Sequence, residues 1–297
     1  MNKTEIFIFG EVLYDCFPDG QKVLGGAPFN VAWNLQAIGL EPVLVSRIGD
    51  DDNGHEIKEN MTNWGMNSSA VQTDQIHPSG VVSVILNDGE PAYDIVSEVA
   101  YDFITWDEHL ASLSRQAKES GNDTILYHGS LALRNNCSLS TFEKLREALD
   151  VKVFFDVNLR APWWSKEQIH DLIYRANYLK LNASEWTLLS GHEGWNVDAA
   201  RAFVQQYSLA LLIITFGENG AIALDNEGQI FSVTPDQNSA VDTIGAGDAF
   251  ASICLAGIIK GLDTESCLQA AQNFASRIVG LRGATTTDPN FYRDILS

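Results

Sequence analysis

Apolar residues gather in short, nearly continuous blocks along the chain: EIFIFG at 5–10, PVLVSRIG at 42–49, TILYHG at 124–129, VKVFFDVN at 151–158, YLKLN at 178–182 and LALLIITFG at 209–217. Runs of this length, closed by glycine or asparagine, predict strands buried on both faces. Between them the spacing predicts helices at Asn30–Ile38, Gly54–Trp64, Trp106–Ser120, Ser140–Ala148, Lys166–Ala176 and Asp198–Gln206. Ala246–Lys260 and Thr264–Val279 are alanine-rich helical stretches, with Gly261 placed to cap the first. Strands alternating with helices predict an α/β fold with a mostly parallel sheet and crossover helices. No linker, repeat or low-complexity tract divides the chain, so one domain is expected over residues 1–297.

One segment breaks the rhythm. Residues 80–97, GVVSVILNDGEPAYDIVS, alternate with period two around Asn87-Asp88-Gly89 and predict a β-hairpin. Its expected pairing partner is Glu11–Val23, interrupted by the turn at Pro18-Asp19-Gly20. Such an insertion is either an edge decoration or a lid over a cleft.

Charge narrows the function. Nineteen basic against thirty-nine acidic residues give a formal net charge of −20. That is the wrong sign for tracking nucleic acid or an anionic membrane surface, although oriented backbone amides can still hold a small anion such as ATP. Cys16, Cys137, Cys254 and Cys267 form no C-x-x-C pair, so neither zinc nor a disulfide framework is expected. The apolar run Ile6–Phe9 is too short for a signal peptide, and no stretch is long enough to span a bilayer. A cytoplasmic protein is the expectation.

The most informative stretch is Val241-Asp242-Thr243-Ile244-Gly245-Ala246-Gly247-Asp248-Ala249-Phe250, a small-residue loop running into a long apolar helix. Without bulk at Gly245, Ala246 and Gly247, anionic oxygens can approach the unpaired amides of a helix N-terminus, where the macrodipole also favours negative charge. Asp248 then stands in the first turn, beside any phosphate the loop holds. On its own the string also fits an ordinary glycine-rich turn with a favourable first-turn charge. There is no P-loop and no protein-kinase motif set.

DTIGAGD followed by Ala-Phe resembles the signature of the ribokinase family, the PfkB-type carbohydrate kinases. Gly25-Gly26-Ala27-Pro28-Phe29-Asn30 resembles that family's N-terminal signature, a Gly-Gly turn before an asparagine that opens a helix. Arg47-Ile48-Gly49-Asp50, Asn182-Ala183-Ser184-Glu185 and Thr215-Phe216-Gly217-Glu218 extend the likeness through the chain.

The resemblance implies a ribokinase-like three-layer α/β/α domain with a small β lid from residues 11–24 and 80–104. It also implies transfer of the γ-phosphate of Mg-ATP to a sugar hydroxyl. Asp248 would be the base, and the amides of Gly245, Ala246 and Gly247 the anion hole. Arg160 would reach the transferred phosphate. Asp15, Gly26 and Asn30 would bind the sugar. Asn182 and Glu185 would organise magnesium through water, while Thr215, Gly217 and Asn273 would line the nucleotide. Asp242, Ile244, Gly283 and Thr287 match the region where the family holds a monovalent cation, potassium.

The Ala-Pro-Phe of the first signature, Trp64-Gly65-Met66 and Gly89-Glu90-Pro91-Ala92-Tyr93 resemble the fructokinase branch, which makes D-fructose the expected acceptor. Ribose, a nucleoside or 2-keto-3-deoxygluconate are the alternatives, as is a sugar-sensing protein without turnover. A homodimer is left open.

Overall fold

A computed structural model describes residues 4–87, 90–235, 245–281 and 283–296, with backbone alone for 84–87 and 90–93. In chain order the first elements are β1 (Glu5–Phe9), β2 (Leu13–Cys16), β3 (Lys22–Gly25), α1 (Ala27–Ala37), β4 (Val43–Gly49), α2 (Asp52–Asn63) and β5 (Val71–Asp74). There follow β6 (Gly80–Asn87), β7 (Glu90–Ile95), α3 (Glu108–Glu119), β8 (Thr124–His128), α4 (Asn136–Leu149), β9 (Lys152–Asp156) and α5 (Lys166–Ile173). The chain continues through β10 (Tyr178–Asn182), α6 (Ala183–Ser190), α7 (Val197–Tyr207), β11 (Leu211–Thr215), β12 (Ala221–Asp225), β13 (Ile230–Val233), α8 (Ala246–Lys260) and α9 (Thr264–Ile278).

Nine strands make the central sheet in the order β13-β12-β11-β10-β9-β8-β1-β4-β5. All neighbours pair in parallel except β11–β12 and β12–β13. Each predicted strand block is a strand, and the reason lies in two packed faces. Ile6 and Ile8 of β1 belong to a core with α1, α2, α8 and α9, while Phe7 and Phe9 belong to a second core with α3, α4, α5, α6 and α7. Both faces are covered, so alternation disappears and the blocks read as continuously apolar.

The remaining strands form a separate sheet, β3-β2-β6-β7. The hairpin expected at 80–97 is β6 and β7, and β2 of the expected partner segment pairs with β6 in parallel from Leu13↔Gly80 to Cys16↔Ser83. Strand structure ends at Ile95, and residues 100–103 are a 3-10 turn.

Chain order reverses beside β1. From there the chain builds outward through β4 and β5 on one side, and later through β8, β9, β10 and β11 on the other. The crevice outside the carboxyl ends of β1 and β8 is therefore a topological switch point, where open α/β sheets bind their ligands.

Candidate active site

Seven of the nine α-helices among the described residues start at a side chain that accepts from a first-turn amide: Asp51, Asp107, Asn135, Ser165, Asn182, Asn196 and Asp263. The two exceptions, α1 and α8, start at Gly26 and Gly245 with no side-chain cap. Their first-turn amides thus remain available to a ligand. These two helices meet: Asn30 Nδ2 donates to Asp248 Oδ2 at 2.8 Å.

Both glycines are required by geometry. Gly26 has φ 105°, and a Cβ there would lie 2.7 Å from the Glu11 carbonyl oxygen. Gly245 has φ 77°, and its Cβ would meet the Cβ of Ala284 at 2.2 Å. Only glycine tolerates both the left-handed backbone and the contact. As a result α1 opens against the β1–β2 connection and α8 against the 283–287 segment. Asn30, expected to open its helix, instead stands one turn inside it, because Ala27-Pro28 already suit the first turn.

Acidic groups converge on this junction. Burial pushes the Glu11 carboxyl up to about 7, with Arg160 and Arg134 opposing and Asp248 adding to the rise. Burial likewise lifts Asp15, on β2, to about 6, opposed by Arg160 and reinforced by Asp248. Asp248 is also raised by burial, held back by the Asn30 hydrogen bond and by the charges of Lys180 and Arg160, while Asp156 pushes it further. Asp15 Oδ2 and Asn30 Oδ1 lie 3.3 and 3.9 Å from where a Cβ on Gly25 would sit, so the Gly25-Gly26 turn, Asp15 and Asn30 share one pocket wall. Among the described residues, Asn30 Oδ1 and Glu11 Oε2 are buried without a hydrogen-bond partner. A buried acceptor left open costs about 1–3 kcal/mol, which a hydroxyl-bearing ligand would recover.

Beneath the α8 N-terminus lies an ion pair that the sequence reading did not single out. Lys180 Nζ bonds both oxygens of Asp156, at 2.8 and 3.0 Å, and Tyr127 donates its hydroxyl to Asp156 Oδ2 at 3.2 Å. A Cβ on Gly247 would lie 3.7 Å from that ammonium. The signal was present: a lysine inside YLKLN and an aspartate closing VKVFFD are charges in strands otherwise buried on both faces.

The other predicted residues are distributed as follows. Arg160 is exposed, with one hydrogen bond to the Leu159 carbonyl at 3.3 Å, yet its charge acts on Glu11, Asp15 and Asp248. Asn182 and Glu185 form a capping box on α6: Glu185 Oε1 accepts from the Leu159 amide at 2.7 Å and Oε2 from the Asn182 amide at 2.8 Å. Thr215 ends β11, and Gly217, with φ 59°, opens the turn to β12. Asn273 faces solvent and bonds Gln269, whereas its neighbour Gln272 is buried and bonds Ser276. Gly283 is buried and Thr287 exposed. Asp242 and Ile244 lie outside the described residues.

Magnesium fits only in one way. Among the described residues no group of three or more His, Cys, Asp or Glu side chains could cage a metal. Both Glu185 oxygens already accept backbone amides, leaving lone pairs suited to a metal's water shell and not to a direct cage.

Comparison with known proteins identifies the family. The description "pfkB family carbohydrate kinase" matches residues 3–290. The chain belongs to this family and is a sugar kinase. It is 28% identical to the fructokinase of Escherichia coli, over 96% of each chain. It is 30% identical to the aminoimidazole riboside kinase of Salmonella typhimurium, over 90% of this chain and 83% of that one. Among solved structures, a sugar kinase from Pyrococcus horikoshii in complex with ATP superposes with a TM-score of 0.78 at 26% identity, covering 98% of this chain and 100% of that one. The ribokinase-like fold of the sugar kinase is thus established. No helix among its described residues is long and apolar enough to cross a membrane.

Proposed function

We propose that this sugar kinase transfers the γ-phosphoryl group of ATP to a hydroxyl of D-fructose. The observation that carries the reading is the Asn30–Asp248 hydrogen bond, which joins an acceptor-rich pocket to an uncapped helix N-terminus. The E. coli fructokinase and the ATP complex of the P. horikoshii kinase support acceptor and donor respectively.

In this reading the acceptor hydroxyl is oriented by Asp15, Asn30 Oδ1 and Asp248. The Asp248 carboxylate takes its proton as the oxygen attacks the γ-phosphorus and the bond to ADP breaks. The amides of Gly245, Ala246 and Gly247 hold the charge that builds on the phosphoryl oxygens, with Arg160 closing over them. Magnesium would neutralise phosphate charge, with Asn182 and Glu185 ordering its waters. Thr215 and Gly217 would flank the nucleotide, and Asn273, exposed on α9, would approach the adenine. A potassium ion held beside Gly283 and Thr287 would brace the hole through Ala284, the other expected ligands, Asp242 and Ile244, lying outside the described residues. The β3-β2-β6-β7 sheet would act as a lid.

The deciding experiment is a coupled ADP-release assay over fructose, ribose, adenosine, aminoimidazole riboside, 2-keto-3-deoxygluconate and a no-sugar control, run on wild type and Asp248→Asn. Fructose should give the highest kcat/KM, and the variant should lose roughly 10²-fold or more in kcat with an unchanged unfolding temperature. A higher kcat/KM for aminoimidazole riboside, the reading favoured by the 30% identical relative, would replace the acceptor. Near-normal turnover by Asp248→Asn would remove the base.

A further inference from the structure

Two buried polar groups near the pocket have work left over. Arg134 follows β8 and is 5% exposed. Its Nε and Nη2 bond Asp102 at 2.7 and 2.9 Å, and Nη2 also reaches the Val96 carbonyl at 2.6 Å. The guanidinium lies over the rings of Trp163 and Tyr101, at 4.4 and 5.3 Å. A clamp this complete fixes the plane of the group, yet Nη1 is buried without a partner among the described residues. Glu11 is 2% exposed, and its Oε2 is likewise open.

The charge of Arg134 acts on Glu11, and that of Glu11 on Arg134. Glu11 in turn feels Asp248 and Arg160. Glu11 also borders the Gly25-Gly26 wall of the pocket, since a Cβ on Gly26 would lie 2.7 Å from its carbonyl oxygen. It follows β1 and Arg134 follows β8, so both flank the switch-point crevice. A fixed donor and an open acceptor, each costly while unpaired, match the two faces of a hydroxyl or a hydroxyl–carbonyl pair.

We propose that Glu11 and Arg134 form a specificity subsite for the end of the sugar remote from the phosphorylated hydroxyl, Glu11 Oε2 pairing with a sugar hydroxyl and Arg134 Nη1 donating to a sugar oxygen. The subsite rests on the acceptor-pocket reading above. It would make the kinase demand polar groups at that end, since an analogue lacking them leaves both protein groups buried and unpaired.

The test uses Glu11→Leu and Arg134→Lys, with every sugar that supports ADP release by the wild type and its monodeoxy analogues. Glu11→Leu removes an open buried acceptor, so it should raise the unfolding temperature without sugar while raising the sugar KM at least tenfold and leaving the ATP KM within twofold. Arg134→Lys keeps a cation for Asp102 and should raise the sugar KM at least fivefold. One monodeoxy analogue that is poor with wild type should be no worse than its parent sugar with Glu11→Leu. Wild-type turnover with sugar KM values unchanged in both variants would overturn the subsite alone. A lowered unfolding temperature in Glu11→Leu with unchanged sugar discrimination would assign Glu11 to structure and overturn it too. Absence of ADP release from wild type with every sugar would overturn the kinase assignment together with the subsite.

Discussion

Lys180→Met tests whether the buried ion pair under the anion hole serves stability, chemistry or both. Lys180 and Asp156 are 5% and 2% exposed, and Lys180 Nζ bonds both carboxylate oxygens. Burial pulls the lysine pKa down, but Asp156, with help from Glu185 and Asp248, overcomes it and holds the ammonium charged. Methionine fills much of the same space but leaves the Asp156 carboxylate, among the described residues, with the Tyr127 hydroxyl alone. Breaking one half of a buried pair costs about 3–5 kcal/mol. Unfolding entropy near 2.1 cal/mol/K per residue gives about 0.6 kcal/mol/K for a chain of this length, so Tm should fall by about 5–8 °C. The double variant Lys180→Met/Asp156→Leu removes the stranded charge and should regain most of that loss. Activity should not return with it. The ammonium lies 3.7 Å from a Cβ position on Gly247 and restrains the pKa of Asp248. We therefore expect kcat to stay at least tenfold down in both variants by the ADP-release assay, with calorimetry supplying Tm. A double variant with wild-type kcat would refute the catalytic part, and a single variant with unchanged Tm would refute the energetic one.

Glu11 and Asp15 have folded pKa values of about 7 and about 6, above the ordinary carboxylate range. A carboxyl raised on folding adds stability below its unfolded pKa and loses it as pH rises through the folded value, so the sugar-free protein should gain about 2 kcal/mol from Glu11 between pH 7.5 and 5.5, read as a Tm rise of about 3 °C. His128, whose pKa burial lowers to about 4, loses stability over this same window, so the Glu11 gain is read as the Tm rise of the wild type relative to Glu11→Gln, and an equal pH response in the two proteins would contradict the assignment. Hydrogen exchange across β2, β3, β6 and β7 should slow when fructose binds, and equal exchange in both states would make that sheet a static edge. Replacing KCl with choline chloride at equal ionic strength should lower kcat, and an unchanged rate would remove the monovalent cation.

How much of this was legible depended on range. The parallel core was readable because packing on both faces of β1, β8, β9, β10 and β11 leaves continuous apolar runs. The antiparallel strands β12 and β13 were missed: β13, at the sheet edge, is four residues with a single buried position, and β12, paired on both sides, is a short run with two alanines, a poor strand former. The helix α6 was missed because it is eight residues long, and its capping box was read only as a ligand motif. On α9, Asn273 is exposed and Gln272 buried, one residue and about 100° of helix apart, a distinction that the sequence around them does not carry. The Asn30–Asp248 bond spans 218 positions, and no local pattern encodes such a meeting.

What local pattern does encode is the absence of a cap. Most helices here spend a side-chain oxygen on their own first turn, and a helix that begins at glycine declines to do so. Two such helices, entering the crevice beside β1 from distant parts of the chain, bring free amides and their favourable dipole ends into one place. Around them stand carboxyls whose ionised forms burial disfavours, and beneath them an ammonium that Asp156 keeps charged. In the proposed reaction a chain with a net charge of −20 would thus hold the phosphoryl group on its way to the sugar, because the attraction would be supplied within a few ångströms by amides and cations at the site and would owe nothing to the surface field.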